Sequence, residues 1–194
     1  MLTKKRKMEE EKPAAAEDVY LEDNHIYFYA EINRVTISKL AILLREADEY
    51  CMLTASRIRV EVVPLYLHLY TDGGYIYSAF LMMDMIRACK SPVYSVIEGA
   101  TASAGTLISV VCAKRFIRPS AFMLIHQLRG EIEGKMADLT DEYTNTKALM
   151  EKCRQVYVRH TRIPAKKLEN LLLHEIWLDA SQALSYGLAD ALYE

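Results

Sequence analysis

The stretch VIEGATASAGTLISVV, residues 96–111, decides how this chain folds. A run of strand-forming residues, 93–97, ends at Gly99, only small residues follow as far as Gly105, and a second apolar run begins with no polar spacing. That pattern reads as a strand, a turn built for close approach of two backbones, and a buried helix. The bland reading of residues 99–105 is tight helix–strand packing and nothing more.

Just upstream the same order of elements occurs once before, without any internal sequence repeat. EVVPLYLHLY (61–70) reads as a strand, with Pro64 confined to its start or to an edge, and TDGG (71–74) as a turn. YIYSAFLMMDMIRACK (75–90) has helical spacing at Ala79, Met82, Met83 and Ile86, and PVYSVIEG (92–99) is the next strand. Strand, glycine turn and helix, taken twice, describe stacked right-handed βαβ units of an α/β fold.

Further out, HIYFYAEI (25–32) reads as a strand, and TISKLAILLREADEY (36–50) as a helix with Ile37, Leu40, Leu43 and Leu44 on one face behind a Thr36 cap. RFIRPSAFMLIHQ supplies two short strands. Residues 135–161 form one long helix with an apolar stripe of Met136, Leu139, Leu149, Met150, Cys153, Val156 and Tyr157. PAKKLENLLLH adds a helix opened by Pro164, and DASQALSYGLAD one capped by Asp179 and ended by Gly187. A long helix leaving the body of the domain needs another subunit to cover its apolar residues, so the chain is expected to oligomerise.

Composition bounds the function. The 194 residues are 52% hydrophobic and 26% charged with a formal charge of −2, which fits one domain and favours neither a nucleic-acid partner nor an anionic membrane. The four cysteines, 51, 89, 112 and 153, form no CxxC pair, so a disulfide framework and a zinc site are both poor readings and a reducing cytoplasm is expected. The longest uncharged stretch, 99–113, falls short of the about 20 residues that span a bilayer. Residues 1–18, MLTKKRKMEEEKPAAAED, carry opposed charge blocks and are expected to be a flexible segment ahead of a single domain, 19–194.

Ser103 stands where the strand-to-helix turn delivers it to a helix start, so neighbouring N–H groups point at whatever reacts with its hydroxyl. Gly74, in the parallel turn after the preceding strand, can bring a second N–H to the same place. His126 ends AFMLIHQ; alone it reads as a satisfied core histidine, but beside Ser103 it is the base a weak serine nucleophile requires. The acid that would fix its tautomer is Glu175 or Asp179; Asp179 is accounted for as a helix cap, and the alternative for Glu175 is a solvated loop carboxylate.

GATASAG around Ser103, MLIHQ around His126, TDGG at 71–74 and ASQALSYGLAD at 180–190 together resemble the proteolytic-subunit family of the Clp ATP-dependent protease, ClpP, over residues 25–190. The resemblance implies the ClpP/crotonase-like α/β fold with a protruding long helix, and a serine endopeptidase that cleaves peptides or unfolded proteins inside a ring chamber. It implies Ser103 as nucleophile, His126 as base, Gly74 and Ala104 as oxyanion donors, and Glu175 where the family has aspartate. Substrate is then expected as an added strand along Gln127, Leu128, Arg129 and Gly130 toward Gly134. No metal or cofactor is implied. The partners implied are further copies of the chain, in a heptameric ring or a stacked tetradecamer, and an AAA+ ATPase unfoldase.

The sequence also departs from the family. Gln127-Leu128 replaces Gln-Pro, Thr71-Asp72 precedes the glycine pair in place of Ser-Pro, His174 stands where an arginine joins two rings, and Tyr66 and His68 occupy the places of two ATPase-cleft tyrosines. Residues 46–62 are expected as an enlarged loop. Three alternatives follow: a relative of phage head-maturation proteases, a non-catalytic ring subunit, and an acyl-CoA enzyme of the crotonase fold, which the Ser–His pair disfavours.

Overall fold

The computed structural model describes residues 18–194. The expected flexible segment lies outside the described residues except for Asp18. A hairpin opens the domain, β1 (Val19–Glu22) and β2 (His25–Phe28), closed by Asp23 at φ 54°. β1 has no counterpart in the sequence reading. Then follow α1 (Arg34–Ile58), β3 (Leu65–Thr71), α2 (Ile76–Ala88), β4 (Val93–Ala102), α3 (Ala104–Val110), β5 (Lys114–Ile117) and β6 (Phe122–Leu124). The chain ends with α4 (Met136–His160), α5 (Ala165–Leu173), β7 (Trp177–Asp179), α6 (Ala180–Tyr186) and β8 (Ala191–Leu192).

The sheet runs β1-β2-β3-β4-β5-β8, parallel throughout except for β1. β4, ten residues long, serves two partners: Tyr94–Ile97 pair with β5, and Ala100–Ala102 pair with β6. Gly99, at φ 58°, lies between the two pairings, where a side chain would meet the Tyr70 ring at 3.2 Å. This fork carries the end of β4 past its pairing with β5 and beside β6, so the small-residue turn that follows lies next to the end of β6, with Ala102 and Ala104 buried on either side of the half-buried Ser103.

Leu65, Leu67 and Leu69 of β3 alternate into a core shared with Leu40, Leu44 and Ala47 of α1 and Met82 of α2. The cap of α1 is Asn33, whose side chain accepts from the N–H groups of Val35 and Thr36. Thr36 is the third helical residue, and its hydroxyl accepts from Asn33 N–H, so a reciprocal box replaces the expected Thr36 cap. Residues 46–58 of the expected enlarged loop are helix, because buried Ala47, Cys51 and Ala55 continue the apolar face at four-residue spacing; only 59–64 form the connection. Asp179 and Gly187 bound α6 as expected.

The opposite sheet face is aromatic. Tyr66 stacks on His25 at 4.7 Å, whereas His68 is 2% exposed and contributes no surface. His68 Nδ1 faces Glu98 Oε1 at 3.0 Å and its Nε2 faces His25 Nδ1 at 2.9 Å, while Arg118 and Tyr29 donate to the same carboxylate. The apolar stripe of α4 is anchored at one end only: Cys153, Val156 and Tyr157 are buried, but Met136 is 79% exposed, so the N-terminal half protrudes from the body. Among the described residues no helix is long and apolar enough to cross a membrane.

Candidate active site

The turn after β4 is strained at Ser103. Its φ of 54° and ψ of −125° are glycine-like, a conformation that costs a side-chain-bearing residue about 1–3 kcal/mol. Several contacts hold it there. Ser103 N–H donates to Leu124 O of β6 at 2.8 Å, and Ser103 O accepts both from Thr106 N–H at 3.0 Å and from the Thr106 hydroxyl at 2.7 Å.

Because the Thr106 proton lies toward Ser103 O, the buried Tyr157 hydroxyl, 2.7 Å away, donates to Thr106 Oγ1. Burial is the main cause that pushes the Tyr157 phenol well above its ordinary value, so it remains a donor. Tyr157 thereby ties the root of the protruding helix to the serine turn, a pair of positioning residues that sequence reasoning missed. Tyr157→Phe should lower stability by about 1 kcal/mol, read as a denaturation midpoint, by removing that donor without changing shape.

The TDGG turn abuts Ser103. A Cβ on Gly73 (φ 98°) would lie 2.7 Å from Ser103 Cβ and 3.1 Å from Ala104 N, and one on Gly74 (φ 139°) would lie 2.3 Å from Ile32 O. Ile32 N–H donates to Gly73 O and Tyr75 N–H to Ile32 O, both at 2.7 Å, which pins the turn to the segment after β2. Gly73 N–H is taken by Thr71 Oγ1 at 3.1 Å. Among the described residues the N–H groups of Gly74 and Ala104 have no such acceptor, and Ala104 is the first residue of α3, where N–H groups lack helical partners.

His126 lies two residues past β6. β6 pairs with β7 antiparallel through Leu124↔Trp177, and continuing that register brings 126 opposite 175. His126 Nδ1 is 3.6 Å from Glu175 Oε1, longer than a hydrogen bond. Arg129 Nη2 contacts the same oxygen. Burial, and secondly Arg129, lower the His126 pKa from its ordinary value, so the ring is an uncharged base at neutral pH. Among the described residues no hydrogen bond joins the Ser103 hydroxyl to His126.

The expected substrate segment does not form a strand; residues 125–133 are irregular. Gln127 N–H donates to Leu172 O of α5 at 2.8 Å and Leu128 N–H faces Met150 Sδ at 3.4 Å, so the first two donors of that segment point into the protein. Gly130 is exposed with open space around its Cα. Beside Gln127 a cavity of about 650 Å³ opens between α4 and α5, lined by Leu128, Tyr143, Met150, Leu172 and Leu173.

The chain is similar to known proteins. A proteolytic subunit 2 of the ATP-dependent Clp protease from Treponema denticola is 28% identical over 173 residues, covering 87% of this chain and 81% of the relative. The subunit 2 from Treponema pallidum is 32% identical over 133 residues, 68% of this chain and 67% of the relative. Subunit 1 from Chlamydia muridarum is 32% identical over 136 residues, 66% and 69% of the two chains. A solved structure of a ClpP1 mutant from Listeria monocytogenes has a TM-score of 0.72 over 84% of this chain and 87% of that one, at 22% identity, a likeness of fold. The family described as Clp protease matches residues 18–194, and with the relatives above 30% identity this makes the chain a member of the Clp protease family, a ClpP-type protease by fold and kinship.

Proposed function

We propose that this chain is a serine-type endopeptidase that cleaves peptides and unfolded proteins by acyl transfer. The observation that carries the reading is the strained Ser103, at φ 54° on a turn whose neighbours Gly74 and Ala104 leave their N–H groups unused. Ser103 Oγ attacks the substrate carbonyl carbon while His126 Nε2, the nitrogen opposite the one facing Glu175, takes the hydroxyl proton. The oxyanion lies between the Gly74 and Ala104 N–H groups, which are already oriented and cost no reorganisation. His126 then returns the proton to the leaving amine, and water, deprotonated by the same nitrogen, releases the acyl group from Ser103. Glu175 holds the imidazole tautomer with its proton on Nδ1. The cavity beside Gln127 and Leu128 takes a side chain of the peptide, whose backbone runs past Arg129 and Gly130.

Assembly belongs to the same proposal. Tyr75, Tyr77 and Leu81 around α2 and Val35 and Ile42 on α1 are exposed large apolar residues, a surface that neighbouring copies in a ring would cover. A seven-fold ring or stacked pair would enclose the Ser103 sites in a cytoplasmic chamber fed by an AAA+ unfoldase. The second reading, a non-catalytic ring subunit, is favoured by the 3.6 Å separation of His126 from Glu175.

A fluorophosphonate probe separates the two. Covalent label found at Ser103 by mass spectrometry, absent in Ser103→Ala and His126→Ala and reduced in Glu175→Ala, is the result expected of a peptidase; an unlabelled Ser103 in the assembled protein would identify a structural subunit.

A further inference from the structure

We propose that Arg129 is a positioning residue that restrains this site, by holding the Glu175 carboxylate short of its hydrogen bond with His126. The inference rests on the peptidase reading for its effect on turnover, but not for its physical basis.

Both contacts involve one atom. Glu175 Oε1 is in contact with the Arg129 guanidinium and stands 3.6 Å from His126 Nδ1, beyond hydrogen-bond range. A guanidinium offers several donors in a fixed fork and is never deprotonated, whereas a neutral imidazole offers one, so Arg129 is the stronger claimant for the oxygen. Glutamate makes the competition possible: its side chain is 54% exposed at the end of a flexible stem, and Arg129 is 68% exposed beside it, so neither is locked by packing. The charged groups bearing on His126 are therefore Arg129 from its own segment and Glu175 from the segment before β7; the β4–α3 turn brings Ser103, which is uncharged near neutral pH.

The direction of the effect follows. Burial, and secondly the Arg129 cation, keep the proton affinity of His126 low, and the carboxylate that would raise it is already paired. Releasing the carboxylate lets Oε1 close on Nδ1–H, fixes the tautomer that presents Nε2 to Ser103, and stabilises the imidazolium formed when the serine proton is taken. An exposed pair of this kind shifts a local equilibrium by a factor of up to about five and is screened by salt. The resting site is thus partly disengaged, and anything that occupies the Arg129 guanidinium, including the C-terminal carboxylate of a bound peptide, releases Glu175 to the histidine.

The test uses the full chain as Arg129→Ala and Arg129→Lys, with two readouts. The first is kcat/KM for a fluorogenic peptide across pH at low and high salt. The second is the titration midpoint of His126 in isotope-labelled histidine NMR, assigned with His126→Ala. The parent is expected to be activated by salt, which screens the Arg129–Glu175 pair; Arg129→Ala is expected to raise kcat/KM about two- to fivefold at low salt and pH 8, to move its acidic limb and the His126 midpoint up by about half a pH unit, and to lose that activation. Arg129→Lys should fall between the two. A fall in kcat/KM together with a lowered midpoint would make Arg129 a support of Glu175 and overturn the proposal, as would no change in the midpoint. If Ser103 takes no fluorophosphonate in any variant, the peptidase reading fails by itself, and the His126 midpoint, which needs no turnover, still decides whether Arg129 withholds Glu175.

Discussion

Ser103→Gly should yield a protein that is more stable than its parent and has lost its hydrolytic activity. The backbone at 103 holds φ at 54° and ψ at −125°, which strains serine by about 1–3 kcal/mol and does not strain glycine. Glycine also loses about 0.5–1 kcal/mol through the greater freedom of its unfolded chain, leaving a net gain near 1 kcal/mol. For a domain of this size that is a rise in Tm of about 2–4 °C. Ser103→Ala keeps the strain and should show no such rise. Both variants remove the hydroxyl and should lower kcat by a factor on the order of 10⁴ to 10⁶. The pair separates two roles of one position: if glycine and alanine are equally stable, the turn is not strained and Ser103 is held by packing alone. If glycine alone is more stable, the chain keeps an unfavourable backbone because of what the serine does there.

How much of this could be read from the chain depends on how local the cause is. The two βα units were legible because strand alternation, glycine turn and helical spacing each occupy fewer than about twenty residues; β3, α2, β4 and α3 form in the expected order, with β3 starting four residues later than read and β4 running three residues past Gly99. Ser103 and the glycine turn stood out for the same reason. The cap of α1 was misplaced by three residues because threonine and asparagine are both cap formers and both take part: Asn33 is the cap and Thr36 completes the box. The helix read over 36–50 runs on through 51–58, which looked like loop because Cys51 and Ala55 are small and their helical spacing carries little hydrophobic signal. The irregular path of 125–133 was hidden because the donors of Gln127 and Leu128 find acceptors on α5 and α4, which are distant in sequence.

What determines the site's chemistry was the least legible. Thr106 and Tyr157 are 51 positions apart, and neither has a local pattern that marks it; only the packing of α4 against α3 shows that one hydroxyl orders the other. Likewise the antiparallel pairing of β6 with β7 puts Glu175 opposite His126, and the same fold brings Arg129 to the same carboxylate. A sequence can identify a serine, a histidine and an acid at family spacing. It does not show whether the histidine or the arginine holds the acid.

The second large effect is expected at Gly73, where the two glycine turns meet. Gly73→Ala puts a methyl group 2.7 Å from Ser103 Cβ, 2.9 Å from Ala102 O and 3.1 Å from Ala104 N, at a φ of 98° that L side chains rarely adopt. Two of the three neighbours are backbone held in β4 and α3, so the turn cannot relieve the contact by rotating a side chain. It must move Thr71–Gly74 away from Ser103, which strains the Thr71 Oγ1 bond to Gly73 N–H and displaces the N–H of Gly74 from its proposed oxyanion position. We expect a stability loss of about 2–3 kcal/mol, from backbone strain and overpacking together, and a fall in kcat/KM of at least about 100-fold, since losing one oxyanion donor alone costs that much. Gly130→Ala is the comparison for stability: its Cβ meets nothing within 4 Å and its φ is not in the left-handed region, so its midpoint in denaturant should move by less than about 0.5 kcal/mol. Fluorophosphonate labelling of folded Gly73→Ala tells the two causes of lost activity apart. Slow labelling at Ser103 would mean that the nucleophile remains while the anion site is displaced; labelling at the parental rate would show that the TDGG turn does not hold the oxyanion and would remove Gly74 from the mechanism.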